Sequence, residues 1–344
     1  MDKELKKALE EYIRNTHNEI LKSYAYSGLD IKRLIRGFNL DSYNRNQFTK
    51  EGFLKTGSEL EKAVLFEHQR FQVGLKKIVE GFMFDSWKRG NRFFDTMVKT
   101  IYPDAKDELK WNIKSWNAIK NRKLSKHRTL SGRIWMLSND YKRDLDAALS
   151  IGYLNGDSAE EVAKRIERYT MSANEKLKDI ETLNDGQVHK SLESFKVKKK
   201  GSLGSVFKDA KRLAGNERNL AFREAENDRM NSYYVLGFKV NLSNAHPQTD
   251  ICDFVNGDYP KDFKWNGWHP NCLCYRTFIV MSREDRKEYR EAVKRGEEPE
   301  IKGLIKDVPI GFKRYMKQNY AQMSGWKSKP YFMIDNDVAK LIGG

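Results

Sequence analysis

The apolar positions of this chain fall mostly on helical spacings. Leu5, Leu9, Tyr12, Ile13, Thr16 and Ile20 form a stripe over residues 3–22, with the three-and-four spacing that puts side chains on one helix face. Residues 60–83 repeat the pattern with Val64, Leu65, His68, Phe71, Leu75, Ile78, Val79 and Phe82. His68 lies on that apolar face without clustered donors, so it reads as a core or boundary histidine and not as a ligand. His17, His127 and His189 also lack ligand-like neighbours. The helical pattern returns from Leu137 to Leu154 and breaks at Asn155-Gly156-Asp157, residues that favour turns. Ser158 and Glu161 have capping-box spacing and open a helix expected to reach about Met171.

The texture then changes. Residues 196–204 are basic and contain glycine and serine, which predicts a linker separating a helical region at 1–195 from a module of different pattern beyond it. A long helix is expected over roughly 205–231. Beyond it Phe238, Val240 and Leu242 alternate with polar positions, as on a half-buried strand. Tyr275-Arg276-Thr277-Phe278-Ile279-Val280 has high strand propensity. After Ser282 the pattern is again helical and highly charged, and the aromatic residues of 325–344 have no clear period. The expected fold is therefore mainly α, with a small α+β module at 205–281 built of a long helix and short antiparallel strands, and a charged helical tail at 282–344. No internal repeat and no glycine-rich phosphate loop is present.

The chemistry sits between the two strands. His246, Cys252, His269, Cys272 and Cys274 hold every cysteine of the chain in the spacing H-x5-C-x16-H-x2-C-x-C. Thiolates and imidazoles suit tetrahedral Zn²⁺, and so small a strand pair is marginal without added stabilisation. A structural zinc ion is the expected cofactor. Cys252, Cys272 and Cys274 are the safest ligands, with His246 or His269 as the fourth. The competing reading is three buried thiols, or one disulfide with a thiol left over. A disulfide needs an oxidising compartment, and no signal peptide is expected at this N-terminus. No glutamate is placed as in H-E-x-x-H and no nucleophile–base constellation stands out, so an enzyme is not expected.

Composition adds a partner class. Of 344 residues, 64 are Lys or Arg and 48 are Asp or Glu, a net charge of +16, which fits a phosphate-rich or acidic partner. No run approaches the ~18 apolar residues that span a bilayer, so no membrane partner is expected. Within 105–137, Trp111, Ile113, Trp116 and Ile119 interleave with basic residues, and Lys120, Arg122, Lys123, Lys126 and Arg128 are the candidates for nucleic-acid contact. The same segment also reads as an amphipathic helix whose apolar positions share a core face, followed by a basic turn, and that reading is preferred.

The run Asp250-Ile251-Cys252, then Gly257-Asp258-Tyr259-Pro260, then His269-Pro270-Asn271-Cys272-Leu273-Cys274 resembles the carboxy-terminal signature of the Mu F-like phage head-morphogenesis proteins. That signature is roughly D-x-x-C-x-x-C, a G-x-x-Y-like turn and H-P-x-C-R-C, downstream of a helix carrying R-T-E-x-x-x-A. Glu217 and Ala221 match the helix motif, while Gly215 and Asn216 depart from it. Val255 stands where the family has its second cysteine, and Leu273 where it has arginine. The resemblance covers about 205–280. It implies that His246 takes the missing cysteine's place, with His269 shaping the turn or competing for it. Glu217, on the helix leading into the module, is expected to be structural, the alternative being an exposed helix carboxylate. The resemblance further implies a minor capsid protein of a tailed phage or prophage. Such a protein assembles with portal and capsid proteins in the bacterial cytoplasm and ends inside the virion head, beside packaged DNA that it touches without sequence preference. The alternative is a zinc-bearing, non-sequence-specific nucleic-acid-binding protein.

Overall fold

The computed structural model describes residues 55–105, 111–123, 129–154, 203–243, 249–269, 272–326 and 329–343, with scattered positions among 15–36 and 158–162. The chain is mainly helical with one small antiparallel sheet in its C-terminal half. It divides into two compact units that interleave along the sequence, one of residues 1–82 and 128–215, the other of 83–127 and 216–344. Two long helices run through both assignments: α1, Glu59–Ile101, and α4, Leu203–Arg229. Residues 196–202 of the expected linker lie outside the described residues, and Leu203 and Gly204 are already helical.

The first unit is built on the stripes read from the sequence. Val64, Phe71, Leu75 and Val79 of α1 are buried, as are Leu130, Ile134, Tyr141, Leu145 and Leu149 of α3, Leu130–Leu154. The Phe71 and Tyr141 rings meet at 4.7 Å. Tyr141 donates to Ser27 Oγ at 3.0 Å, and burial pushes its phenol far above the ordinary range. His68 is buried among these side chains, and burial lowers its pKa. Ser158 and Glu161 exchange the two reciprocal bonds of a capping box, Glu161 N to Ser158 Oγ at 3.3 Å and Ser158 N to Glu161 Oε2 at 2.7 Å.

The second unit carries the sheet. Strand β1, Val235–Asn241, lies between β2, Gly257–Tyr259, and β3, Tyr275–Val280, and both pairings are antiparallel. Phe238 faces Tyr259 on one side and Phe278 on the other. The β1 and β3 segments are legible as alternating or β-branched runs; β2 is three residues long and reads from sequence only as a turn. Short helices complete the unit: α5, Ile251–Phe254; α6, Arg283–Lys294; α7, Ile310–Ser324; α8, Tyr331–Asp335; and α9, Val338–Leu341. Helix α2, Ile113–Lys120, comes earlier in the chain but belongs to this unit.

One core joins these pieces. Phe94, Val98 and Tyr102 of α1, Phe238, Tyr259, Trp265, Trp268 and Phe278 around the sheet, and Phe312, Met316, Met323 and Phe332 share it. Each such side chain contributes about 1.5–3 kcal/mol by leaving water. Residues 282–344, expected as a charged helical tail, contribute to this core: Phe312, Met316 and Met323 form a buried stripe hidden in a charge-rich composition. The core around 205–281 also takes in α1 and the C-terminal helices.

Trp111 and Trp116 make contacts within the fold, whereas Trp135 is exposed. Trp87 Nε1 donates to Ser115 Oγ at 3.0 Å, Trp111 Nε1 to Asp95 Oδ2 at 2.7 Å, and Trp116 meets the Phe84 and Trp87 rings. Ile119 is buried, whereas Ile113, expected beside it, is 54% exposed. Steps of three residues each rotate about 300° around a helix, so the row drifts off the buried face within two steps.

Candidate metal centre

Helix α4 overlies the sheet region with an unusual set of buried polar groups: Glu217, Arg218, Arg223, Glu226 and Arg229 are all nearly inaccessible. Close approach to α1 is possible because Gly90 faces it; a Cβ there would lie 2.7 Å from the Phe222 carbonyl oxygen. Arg229 then reaches Asn91 Oδ1 at 3.1 Å and Asp95 Oδ1 at 2.9 Å.

Arg223 organises the loop that carries the cysteines. Its Nη1 donates to the Asn266 carbonyl at 2.9 Å, and its Nη2 to the carbonyls of Cys272 at 2.7 Å and Cys274 at 3.1 Å. The guanidinium also lies 4.5 Å from the Trp265 ring centre, a favourable cation–π distance. Gly267 makes room for it: φ is +94° and a Cβ would overlap Arg223 Nη1. A side chain there would meet both the left-handed backbone penalty and a direct clash.

The three cysteines converge from two places in the chain. Cys252 lies in the first turn of α5, which Asp250 caps: Asp250 Oδ1 accepts from Cys252 N at 2.7 Å, and Asp250 N donates to Asp253 Oδ2 at 2.8 Å. Cys272 comes after a turn closed by its N–H on the His269 carbonyl at 3.2 Å. The sulfurs of Cys252, Cys272 and Cys274 lie within 4.8 Å of one another and all three residues are buried. The Cys252–Cys272 sulfur separation is 3.8 Å. A tetrahedral ion about 2.3 Å from each sulfur sets a sulfur–sulfur edge at about 3.8 Å. The donor set therefore fits a thiophilic cation.

His269 stands at the edge of this cluster. Its Nε2 is 3.2 Å from Cys252 Sγ and 3.2 Å from Asp250 Oδ2. Asp250, Cys252 and His269 form a second ligand-capable group that shares Cys252 with the first. An imidazole and a carboxylate thus stand beside Cys252, near the three-sulfur cluster. His246, Lys126 and Arg128 lie outside the described residues.

The close sulfurs shift one another's proton affinity in opposite directions. Hydrogen bonds from Cys252 and Cys274 hold the Cys272 pKa far below the ordinary thiol range, and Arg223 adds to this. Cys252 is pushed up by the same bonds, from Cys272 first, and by burial. Three buried, converging sulfurs form a site at which a metal ion would bind with release of thiol protons.

Beneath the loop, Arg276 of β3 donates to the Trp265 carbonyl and to Asn227 Oδ1, both at 2.7 Å, and its guanidinium sits 4.5 Å from the Phe238 ring centre. Its Nε is 3.7 Å from Glu226 Oε2. Burial, outweighing Arg276 and Arg223, raises the Glu226 pKa to about 7; burial also lowers that of Arg276 to about 10, against the pull of Glu226.

Of the residues considered for nucleic-acid contact, Arg122 is engaged in the fold. Its Nη2 bonds both carboxylate oxygens of Asp335 at 2.9 and 2.8 Å, and Asp335 Oδ2 in turn accepts from Asn266 Nδ2 at 3.1 Å. Lys120 is half-buried and Lys123 exposed. Sequence reasoning missed Arg223, Asn266 and Gly267. The signal for the last was a glycine flanked within two positions by Trp265 and Trp268 and next to a ligand turn.

No family model, curated protein or solved structure matches the chain.

Proposed function

We propose that this chain is a minor head protein of a tailed phage or prophage, acting with the portal during head assembly, and that its cysteine centre holds one structural Zn²⁺. The observation that supports the reading is the meeting of the H-P-x-C-x-C segment with Cys252 to form a metal-capable cluster, beside a helix in which Glu217 is buried. These are the residues that carry the resemblance to the Mu F-like proteins. The metal is structural in this reading: the sulfurs are buried, and Arg223 secures the loop through backbone carbonyls. The net charge of +16 supports a place beside DNA, since phosphate neutralisation needs no base contact. Among the described residues no helix is long and apolar enough to cross a membrane.

Mass spectrometry of purified heads and assembly intermediates tests the role. The expected outcome is a low-copy protein that co-purifies with the portal ring. Absence from both, with selective binding of one DNA sequence in ~0.2 M salt, would replace this reading with that of a zinc-bearing nucleic-acid-binding protein.

A further inference from the structure

Helix α6 segregates its charges completely. At about 100° per residue, Arg283, Arg286, Lys287, Arg290 and Lys294 fall within an arc of about 100°, while Glu284, Asp285, Glu288 and Glu291 occupy a separate arc of about 120°. The basic arc flanks a groove of about 340 Å³ whose other wall is Ile101, Tyr102, Pro103 and Asp104. Five cations and two carboxylates, Asp104 and Glu291, line it.

The guanidinium groups are held in place. Arg283 donates to the carbonyls of Ile101 at 2.7 Å and Thr100 at 3.3 Å, at the end of α1. Arg286 donates to both oxygens of Asp104 at 2.9 Å, and Arg290 to one of them at 2.6 Å. Arg286 is buried against the Tyr102 ring, 4.7 Å from its centre. Lys287 and Lys294 are exposed and have no ion-pair partner among the described residues. One carboxylate thus serves two arginines, and the outer edge of the arc stays positive.

We infer that this basic face of α6 seats the phosphate backbone of nucleic acid. The inference rests on the reading of a protein beside packaged DNA and supplies it with a contact surface other than Lys120, Arg122 and Lys123. From Arg283 to Lys294 the stripe is about 16 Å long. That length suits a linear polyanion, which carries one charge per ~1.7 Å of duplex, better than a small anion needing convergent donors. The contact carries no sequence preference, because the donors are aimed at phosphate and not at base edges.

The experiment is a salt titration of duplex DNA binding by the full chain, by Lys287→Gln/Lys294→Gln and, in parallel, by Lys120→Gln/Lys123→Gln. Melting curves confirm that all three are folded. The expected result is a log K against log [salt] slope shallower by about 2 in the α6 variant and unchanged in the other. A wild-type slope in the α6 variant overturns this surface while leaving the head-protein reading intact. Failure of the wild type to bind DNA in low salt overturns the DNA contact itself, leaving the portal association to be judged on purified heads. Tighter binding of poly-glutamate than of DNA at equal salt, with the same dependence on Lys287 and Lys294, would assign the face to an acidic protein and overturn the inference.

Discussion

Arg223 holds Cys272 by its backbone and not by its sulfur: Nη2 donates to the Cys272 carbonyl at 2.7 Å. The same guanidinium reaches the Asn266 and Cys274 carbonyls. One side chain of α4 therefore fixes the cysteine loop while leaving the three sulfurs available to a metal ion.

Gly267→Ala tests that clamp. The added methyl would occupy the place of Arg223 Nη1 at a φ of +94°. Positive-φ strain together with lost charge-assisted bonds is expected to cost about 3 kcal/mol. Denaturant unfolding with saturating zinc measures it. An unchanged midpoint would mean that the guanidinium is not needed where it stands.

Metal analysis of protein purified without added zinc should find about one equivalent per chain, because structural sites of this type bind tightly. Less than about a tenth of an equivalent would count against the site. Cys272→Ser should abolish binding. His269→Ala should weaken it by at least about tenfold if the imidazole is ligand or near neighbour, and His246→Ala measured beside it decides which histidine takes the fourth place. Acidification should release the ion as thiolates and imidazole protonate.

Glu226 gives a pH signature. Its pKa is raised to about 7 from an ordinary 4.5. Between those values the folded chain keeps a proton that the unfolded chain has lost, so stability falls as pH rises through the window and levels off above it. Both members of the Glu226–Arg276 pair shift in the direction that burial drives them, so desolvation exceeds their attraction. Glu226→Gln should remove this slope, a difference from wild type on the order of 3 kcal/mol across the window. Parallel stability–pH curves for the two proteins would show that Glu226 ionises normally in the fold.

Glu217 is 2% exposed, on the helix that leads into the ligand loop. Glu217→Ala is expected to cost more than the ~0.5 kcal/mol typical of a surface change, about 1–3 kcal/mol for a buried polar group lost from its partners. A melting temperature equal to wild type would make it an ordinary helix carboxylate.

The elements with strong local signals are readable in the sequence. The 275–280 strand, the helix opening near 205, the Ser158–Glu161 cap and the gathering of Cys252, Cys272 and Cys274 each depend on neighbours in sequence or on donor chemistry. The features that escape a sequence reading depend on partners far along the chain. Arg223 looks like any charged helix residue until Asn266, Cys272 and Cys274 are seen around it. Arg122 looks like a free base until Asp335 is found beside it. Helix α7 is hidden by its lysines, although Phe312, Met316 and Met323 are its buried face. The interleaved units have no local signature at all, because α1 and α4 show no break in helical pattern where the assignment changes.

The late position of Phe312 and Phe332 in the chain bears on how the protein matures. Both belong to the core that covers Trp268 and Tyr259. During synthesis the cysteines are made before these two rings. Because units of structure close when their last parts arrive, the nascent thiols meet water, oxidant and competing ions while that core is still incomplete. In the proposed reading, a metal ion captured by Cys252, Cys272 and Cys274 before the rings arrive would hold the loop near its native shape while the core is incomplete.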